Sequence, residues 1–200
     1  MSEELDKSIK KNAVPVGLIM GIIVTVISIL SFYVMTSTTS TILISAAPIV
    51  LSVIIPIILA VIYSKQLRTK IGGFWNFRQA TSGIFIMLLI SFAVQFVVRD
   101  MVFAKVIEPD MVSKMETTMV ASVTLMLEKS KVSQEDIDKQ IDKIQKSFDE
   151  QKNPTIGKQV QAVAINTIFL FVLALILAAF LKKENHTFNL NDELESEPTV

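Results

Sequence analysis

The sequence predicts an all-α fold, a four-helix transmembrane bundle with an extracytoplasmic helical hairpin between spans 3 and 4. Apolar residues make up 51% of the 200 residues, and the mean hydropathy of +0.54 exceeds that of an ordinary soluble domain. Four stretches without Asp, Glu, Lys, Arg or His are each close to the ~20 residues with which a helix crosses a bilayer. The predicted spans are residues 14–35, 42–63, 81–98 and 160–181. Because hydrocarbon offers backbone groups no water to pair with, these stretches must be helical.

The first span is predicted to be an uncleaved anchor. Lys7, Lys10 and Lys11 precede it, as basic residues precede the apolar region of a secretory signal. The apolar run 14–35 is longer than the roughly 7–15 residues of such a region. Residues 36–40 offer no convincing small-residue cleavage site. We therefore expect the run to remain in the mature chain.

Positive charge near the spans predicts their orientation. The connection 36–41 carries no charge, whereas the connection between spans 2 and 3 carries four basic residues. These are Lys65, Arg68, Lys70 and Arg78. Three lysines precede the first span, and Lys182 and Lys183 follow the last. Short basic flanks stay in the cytoplasm, so we expect a multi-pass protein of the cell inner (cytoplasmic) membrane with a cytoplasmic N-terminus and C-terminus. The mixed-charge connection 99–159 is then outside by topology.

The connection between spans 3 and 4 has a helical pattern of its own. Apolar residues recur at three- and four-residue steps, which predicts a helix over residues 109–129. They are Val112, Met115, Met119, Val123 and Met126. A second helix is predicted from Ser133, where Asp136 completes an imperfect capping box, to about Gln151. Its apolar stripe comprises Ile137, Ile141, Ile144 and Phe148. We expect an outer helical hairpin over about 109–151, with the stripes facing each other or the bilayer surface.

A glycine-aromatic turn and a polar tail complete the predicted organisation. Residues 72–79 combine two glycines, which allow a turn, with Trp75 between two phenylalanines. Such aromatic side chains favour the headgroup level of a bilayer. Residues 184–200 are polar and acidic, and we expect a disordered cytoplasmic tail there. The four-span membrane domain is thus predicted over residues 1–183.

Two polar side chains within the spans are candidates for a solute path. Gln95 in span 3 and Asn166 in span 4 are the most polar residues of the apolar runs. Either could hydrogen-bond across helices or line a narrow polar path through the bundle. Hydrogen bonds between helices are the commoner role of such residues. We favour that interpretation, and neither residue identifies a substrate.

Two prolines in span 2 are a second candidate feature for transport. Pro48 and Pro56 displace helical hydrogen bonds and so free the carbonyls of Ile44 and Ser52. Freed carbonyls can coordinate a cation. A kink whose carbonyls are satisfied by neighbouring groups explains the same prolines, and we favour it.

Small and sulfur-containing residues mark further candidate contact surfaces. Small residues recur every fourth position in two rows, which suit close helix packing within the bundle or in a dimer. The rows are Ala13, Gly17 and Gly21, and Ala174 and Ala178. Methionines along the first outer helix suit core packing, a protein partner or, least favoured, a soft metal such as Cu(I). These are Met111, Met115, Met119 and Met126.

The composition argues against catalysis and metal binding. The sequence has no cysteine and one histidine, His186, in the polar tail. No nucleophile and base lie together in the apolar runs, so we expect no enzyme activity, no catalytic residues, no cofactor and no metal site. Basic and acidic residues both number 19, which provides no general field for nucleic acid.

The order of these features resembles a family of small four-span membrane proteins found mainly in Bacteroidota, the domain of unknown function 4199 (DUF4199). The resemblance rests on residues 11–18, Lys-Asn-Ala-Val-Pro-Val-Gly-Leu, and residues 73–80, Gly-Phe-Trp-Asn-Phe-Arg-Gln-Ala. It also rests on the long charged insertion before the fourth span, and it covers residues 11–183 in all. The family has no assigned activity, so the resemblance implies an inner-membrane location and transfers no functional residues.

The leading functional hypothesis is a non-catalytic membrane interaction or accessory protein. Its partners would be the lipid bilayer and a protein, or a second copy of the chain, at the outer hairpin or the cytoplasmic turn. The alternative is a small-solute transporter or channel component that uses Gln95, Asn166 and the carbonyls freed by the prolines of span 2. The alternative requires Gln95 and Asn166 to face a common interior cavity.

Overall fold

The protein is a bundle of helices in the computed structural model, which describes residues 2–152 and 154–183. The α-helices are α1 (Ser2–Ser37), α2 (Thr41–Ile49), α3 (Ile55–Lys70), α4 (Phe77–Gln95), α5 (Met111–Lys129), α6 (Gln134–Lys152) and α7 (Ile156–Leu181). Two π-helical segments continue them, π1 (Val50–Ile54) between α2 and α3 and π2 (Phe96–Ile107) after α4. In the described part of the chain, β-structure is limited to one isolated antiparallel bridge between Trp75 and Lys183. The predicted all-α fold is confirmed.

Four continuous helices are long and apolar enough to cross a membrane. They are Glu4–Ser37, Thr41–Lys70, Phe77–Ile107 and Ile156–Leu181. Each contains one of the four predicted spans and extends beyond it. We call the end of the bundle with the α3–α4 turn (residues 71–76) and residues 182–183 the basic end, and the opposite end, where α5 begins, the hairpin end.

Packing against α4 extends α1 well beyond the predicted span. The apolar run begins at Val14, but the helix begins at Ser2. Ile9 and Ala13 are 1% and 0% exposed. A Cβ on Gly83 of α4 would lie 2.9 Å from Ile9 Cγ2, which measures how closely the two helices approach there. Burial of Ile9 and Ala13 stabilises the helix over residues 2–13, a segment whose composition is polar.

The first and third spans form the centre of the bundle. α1 packs along α4, α7 packs on α4, and α3 contacts α1, α4 and α7. Their shared core consists of Ala13, Val16, Met20, Val24, Ala60, Leu67, Trp75, Ala80, Ile84, Met87, Leu88, Ala174, Leu177, Ala178 and Leu181. The second span is peripheral, because 11% of its apolar window is buried in the protein against 44% for the first. Most of its surface is therefore available to lipid.

The helix of the third span continues past its predicted end. We expected a connection from Arg99 onward, and that prediction is wrong because π2 runs to Ile107. The Arg99 guanidinium pairs with Asp100 at 2.9 Å and donates to the Ser28 hydroxyl at 3.1 Å. Phe103 packs against Phe32 of α1 with ring centroids 5.9 Å apart. These contacts satisfy the charges and bury the aromatic ring, so the helix continues.

The predicted helical hairpin is present in α5 and α6. Its helices pack on each other across a short turn, and Lys152 at the end of α6 pairs with Glu116 near the start of α5, so the two run antiparallel. Ile137 and Phe148 of the predicted stripe are buried. The first helix begins at Met111, two positions after the predicted start, because residues 109–110 form a turn.

A local cap begins the second helix of the hairpin as the sequence predicts. The Ser133 hydroxyl accepts from the Asp136 backbone N–H at 3.3 Å and donates to the Asp136 carboxylate at 2.7 Å. One donor at the start of α6 is thereby satisfied. Lys131 in the preceding turn adopts a φ of 55°, which reverses the chain direction.

Candidate functional site

The two most polar side chains of the spans form hydrogen bonds on their own helices. Gln95 Nε2 donates to the Ser91 carbonyl at 3.3 Å, and Asn166 Nδ2 donates to the Ala162 carbonyl at 2.9 Å. Gln95 is half-buried, and Asn166 is exposed on α7. An exposed side chain does not face an interior path of this chain. The structure therefore does not bring the two residues together as the transport alternative requires.

The π1 segment lies between Pro48 and Pro56 of span 2. The backbone N–H of Ile55 donates to the Val50 carbonyl, five residues back. This wider turn ends immediately before Pro56, which has no N–H to donate. Ile44 is buried, whereas Ser52 is exposed. The two positions predicted to offer free carbonyls therefore do not line one interior path.

The small residues in span 1 allow α1 to contact the backbone of α4. A Cβ on Gly17 would lie 2.6 Å from the Met87 carbonyl oxygen, and one on Gly21 would lie 3.0 Å from Ser91 Cα. Both distances are shorter than ordinary van der Waals contact. The second row, Ala174 and Ala178, is fully buried in the shared core. Both rows are used for packing within the chain.

A cleft at the hairpin end is a candidate binding site. It has a volume of about 660 Å³ and lies between the end of α1 and the start of α5. The cleft is lined by Phe32, Tyr33, Thr36, Ser37, Glu108, Asp110, Ser113, Lys114, Thr117 and Thr118. Phe32, Tyr33 and Phe103 pack edge to face with centroids 5.1–5.9 Å apart. These aromatic contacts join π2 to the end of α1 beside the cleft.

Five of the polar residues that line this cleft form hydrogen bonds within the chain. Glu108 accepts a hydrogen bond from Lys114, which raises the pKa of Lys114 above its ordinary 10.5 and keeps the amine protonated. The hydroxyls of Thr36, Thr117 and Thr118 donate to carbonyls four residues earlier in their own helices. A protonated amine cannot accept a proton from these hydroxyls.

The methionines of α5 divide between packing and exposure. Met111 is 8% exposed in a cluster with Phe32 and Phe103, and Met115 packs against that cluster. Met126, near the hairpin turn, is 48% exposed. The first part of the methionine face is thus part of the core, and only its far end is open to a partner.

At the basic end, the glycine-aromatic turn binds the last carbonyl of α7. Trp75 Nε1 donates to the Leu181 carbonyl at 2.9 Å, and Arg68 Nη1 donates to the same oxygen at 3.1 Å. The backbones of Trp75 and Lys183 exchange two hydrogen bonds of 2.9 and 3.1 Å. The Lys183 amine lies 5.1 Å from the centre of the Phe74 ring. We call this set of contacts the Trp75 clamp.

The local sequence explains how the turn reaches α7. Gly72 and Gly73 adopt φ values of 107° and 85°, which side chains with a Cβ rarely adopt. Asn76 and Gln79 then form a reciprocal capping box that begins α4. Trp75, which lies between the glycine pair and the capping box, is 2% exposed. Its ring is buried among the helices, so it packs within the bundle and leaves Phe74 and Phe77 as the exposed aromatic side chains of the turn.

Arg68 and Trp75 are the residues whose role sequence reasoning missed. Both pair with Leu181, more than 100 positions away in the chain. In the sequence, two glycines and the single tryptophan follow a helix with a basic end. This pattern predicts a turn with an unusual backbone conformation, but it does not predict which residue the tryptophan contacts. Within the described residues, no group of three or more His, Cys, Asp or Glu could hold a metal ion. His186 and the predicted tail lie outside the described residues.

Comparison with known proteins gives a family but no activity. The model of the family described as protein of unknown function (DUF4199) matches residues 15–183. No curated protein matches the chain, and no solved structure does. The match runs from Pro15 to Lys183 and includes most of the first candidate span, the whole of the other three, the hairpin and the Trp75 clamp. The chain therefore belongs to the DUF4199 family of proteins of unknown function.

Proposed function

We propose that the protein is a non-catalytic accessory protein of the bacterial inner membrane that binds a partner protein through the hairpin α5–α6. The observation that supports this proposal is the way in which the hairpin is attached to the bundle. Phe103 and Met111 fix its base to Phe32 of α1, while α6 packs on α5 and turns a charged face outward. A rigidly anchored helix pair with an open polar face is suited to protein recognition.

The interior of the bundle favours this function over transport. Gly17 and Gly21 bring the backbones of α1 and α4 into contact along the central interface. Gln95 and Asn166 bond within their own helices. A solute path needs groups that replace the solute's hydration shell, whereas at Gly17 and Gly21 the two helices approach each other more closely than ordinary Cβ contacts allow.

Charge favours a cytoplasmic basic end and an external hairpin. Arg68, Lys70 and Arg78 lie near the basic end, as do Lys182 and Lys183. Basic residues in short connections remain on the cytoplasmic side. Both termini are then cytoplasmic, and the hairpin faces the periplasm.

Single-cysteine labelling tests this orientation directly, because the natural chain contains no cysteine. We expect a membrane-impermeant maleimide to label cysteines at Thr39 and Ser130 in intact cells, and at Lys70 and Asn189 only after permeabilisation. Thr39, Lys70 and Ser130 are exposed. Lys70 is preferred to Arg68, whose side chain holds the Leu181 carbonyl. Labelling of Lys70→Cys in intact cells contradicts the proposed orientation.

Site-specific photocrosslinking tests the partner. A photoreactive residue at Lys143 or Lys146, both exposed on α6, is expected to give a discrete protein adduct in living cells. The matched control is Ile62, which is 53% exposed on the peripheral second span and should give lipid adducts. The purified chain in liposomes should not raise the flux of small ions or solutes above that of empty liposomes. If the purified chain raises the flux and no protein adduct forms from α6, the accessory function is contradicted and transport is supported.

A further inference from the structure

A second cleft lies between α4 and α7 at the basic end, at the opposite end of the bundle from the hairpin. Its volume is about 380 Å³, within the range of small-ligand sites. Arg78, Thr81 and Ser82 of α4 line its mouth, and Phe85, Phe171 and Leu175 line its deeper part. We call it the α4–α7 groove.

Polarity changes along the groove as it does along a phospholipid. Phe85 lies two helical turns beyond Arg78, a distance of about 10 Å along α4. Phe85 and Phe171 meet edge to face, with centroids 5.4 Å apart and planes at 87°, and close the apolar part. A cation and hydroxyls at the mouth therefore lead directly to an aromatic wall at hydrocarbon depth.

Arg78 differs from the other arginines of the chain in having no partner among the described residues. Arg68 donates to the Leu181 carbonyl, and Arg99 pairs with Asp100 and Ser28. No hydrogen bond, ion pair or ring contact of the Arg78 guanidinium is found within residues 4–152 and 154–183, and the residue is exposed at the groove mouth. Its five donors are thus available to an acceptor from outside this part of the chain.

We propose that the α4–α7 groove binds an anionic phospholipid, with the phosphate on Arg78 and an acyl chain against Phe85 and Phe171. A planar guanidinium binds phosphate through two parallel hydrogen bonds, and Ser82 adds a hydroxyl donor beside it. Lys182 and Lys183 at the same end of the bundle add positive charge near the mouth. A free phosphate would leave the apolar part of the groove empty, which favours a lipid. The inference concerns the basic end and stands whether or not the hairpin binds a protein.

The test is the thermal stability of the full chain in mild detergent with and without added phosphatidylglycerol. A ligand that binds the folded state raises the midpoint temperature according to its concentration and affinity. We expect phosphatidylglycerol to raise the midpoint and phosphatidylcholine to leave it nearly unchanged. Each variant is compared with its own lipid-free midpoint, so a change in basal stability does not obscure the result.

Matched variants locate the site. Arg78→Gln should weaken phosphatidylglycerol binding at least about tenfold, because it removes charge-assisted hydrogen bonds. Arg78→Lys should retain part of the binding, and Phe171→Ala should weaken it by loss of apolar contact. The control Lys70→Gln removes the same charge from an exposed residue outside the groove and should change binding by less than about twofold. If Arg78→Gln and Lys70→Gln weaken phosphatidylglycerol binding equally, general surface charge explains the binding and the proposal for the α4–α7 groove is wrong.

Two further measurements exclude other occupants. A midpoint shift by glycerol 3-phosphate equal to that by phosphatidylglycerol would identify a free phosphate as the ligand and overturn the lipid proposal. A chain ending at residue 183 removes the acidic segment 184–200. If phosphatidylglycerol raises the midpoint only of that shortened chain, the acidic segment occupies the groove and the proposal is wrong. Similar shifts in both chains support it.

Discussion

Replacing Trp75 with alanine is expected to destabilise the bundle by about 3–5 kcal/mol, the usual cost of removing a buried aromatic side chain. The ring is 2% exposed and belongs to the core shared by α1, α3, α4 and α7. Its indole N–H also donates to the Leu181 carbonyl at the end of α7. The substitution thus removes packing and a hydrogen bond that joins the last span to the α3–α4 turn.

Thermal stability in mild detergent measures this loss, with size-exclusion chromatography reporting the fraction of chain that remains monodisperse after heating. We expect the midpoint to fall by about 10 °C. The midpoint of Trp75→Phe should lie between those of the unsubstituted chain and Trp75→Ala, because phenylalanine keeps much of the aromatic ring but has no N–H donor. Phe74→Ala is the matched control, since Phe74 is 40% exposed in the same turn. Equal losses for Phe74→Ala and Trp75→Ala would contradict the Trp75 clamp.

Replacing Gly17 with alanine is expected to cost about 1–3 kcal/mol through overpacking. The new Cβ would lie 2.6 Å from the Met87 carbonyl oxygen and 2.9 Å from Ile90 Cβ. One of these atoms belongs to the helix backbone, so a rotamer change cannot relieve the contact. α1 and α4 must move apart, which loosens the central interface of the bundle.

Gly157→Ala is the matched control for this prediction. Gly157 is also helical, in the first turn of α7, but a Cβ there meets no atom within 4 Å. Alanine has the higher helix propensity, so this substitution should leave stability unchanged or raise it by up to about 1 kcal/mol. The same chemical change is therefore expected to have opposite signs at the two positions. A loss at Gly157 as large as that at Gly17 would show that the α1–α4 contact is not the cause.

The sequence by itself determined the helical class, the four long apolar helices and the helical hairpin that follows the third of them. Each depends on local composition or period: the absence of charge over about 20 residues, or an apolar step of three and four. The cap at Ser133 and the stripe through Ile137 and Phe148 were predicted for the same reason. Such features are fixed by neighbours in sequence, so no knowledge of partners in space was needed.

Tertiary structure alone decided where the helices end and which residues meet. α1 extends to Ser2 because Ile9 has a place against Gly83, and the third span passes Arg99 because Asp100 and Ser28 satisfy its guanidinium. Both segments carry charged residues next to an apolar run, and contacts distant in sequence accommodate them in a continuous helix.

The roles of the turn and of the polar span residues were decided in the same way. A lone tryptophan beside paired glycines predicts a turn, but its partner, the Leu181 carbonyl, is known only from the tertiary structure. Asn166 fits a polar path or a bond within its helix until its exposure is known. A hydrogen bond depends on where donor and acceptor lie in space, and residue type gives only the capacity to form it.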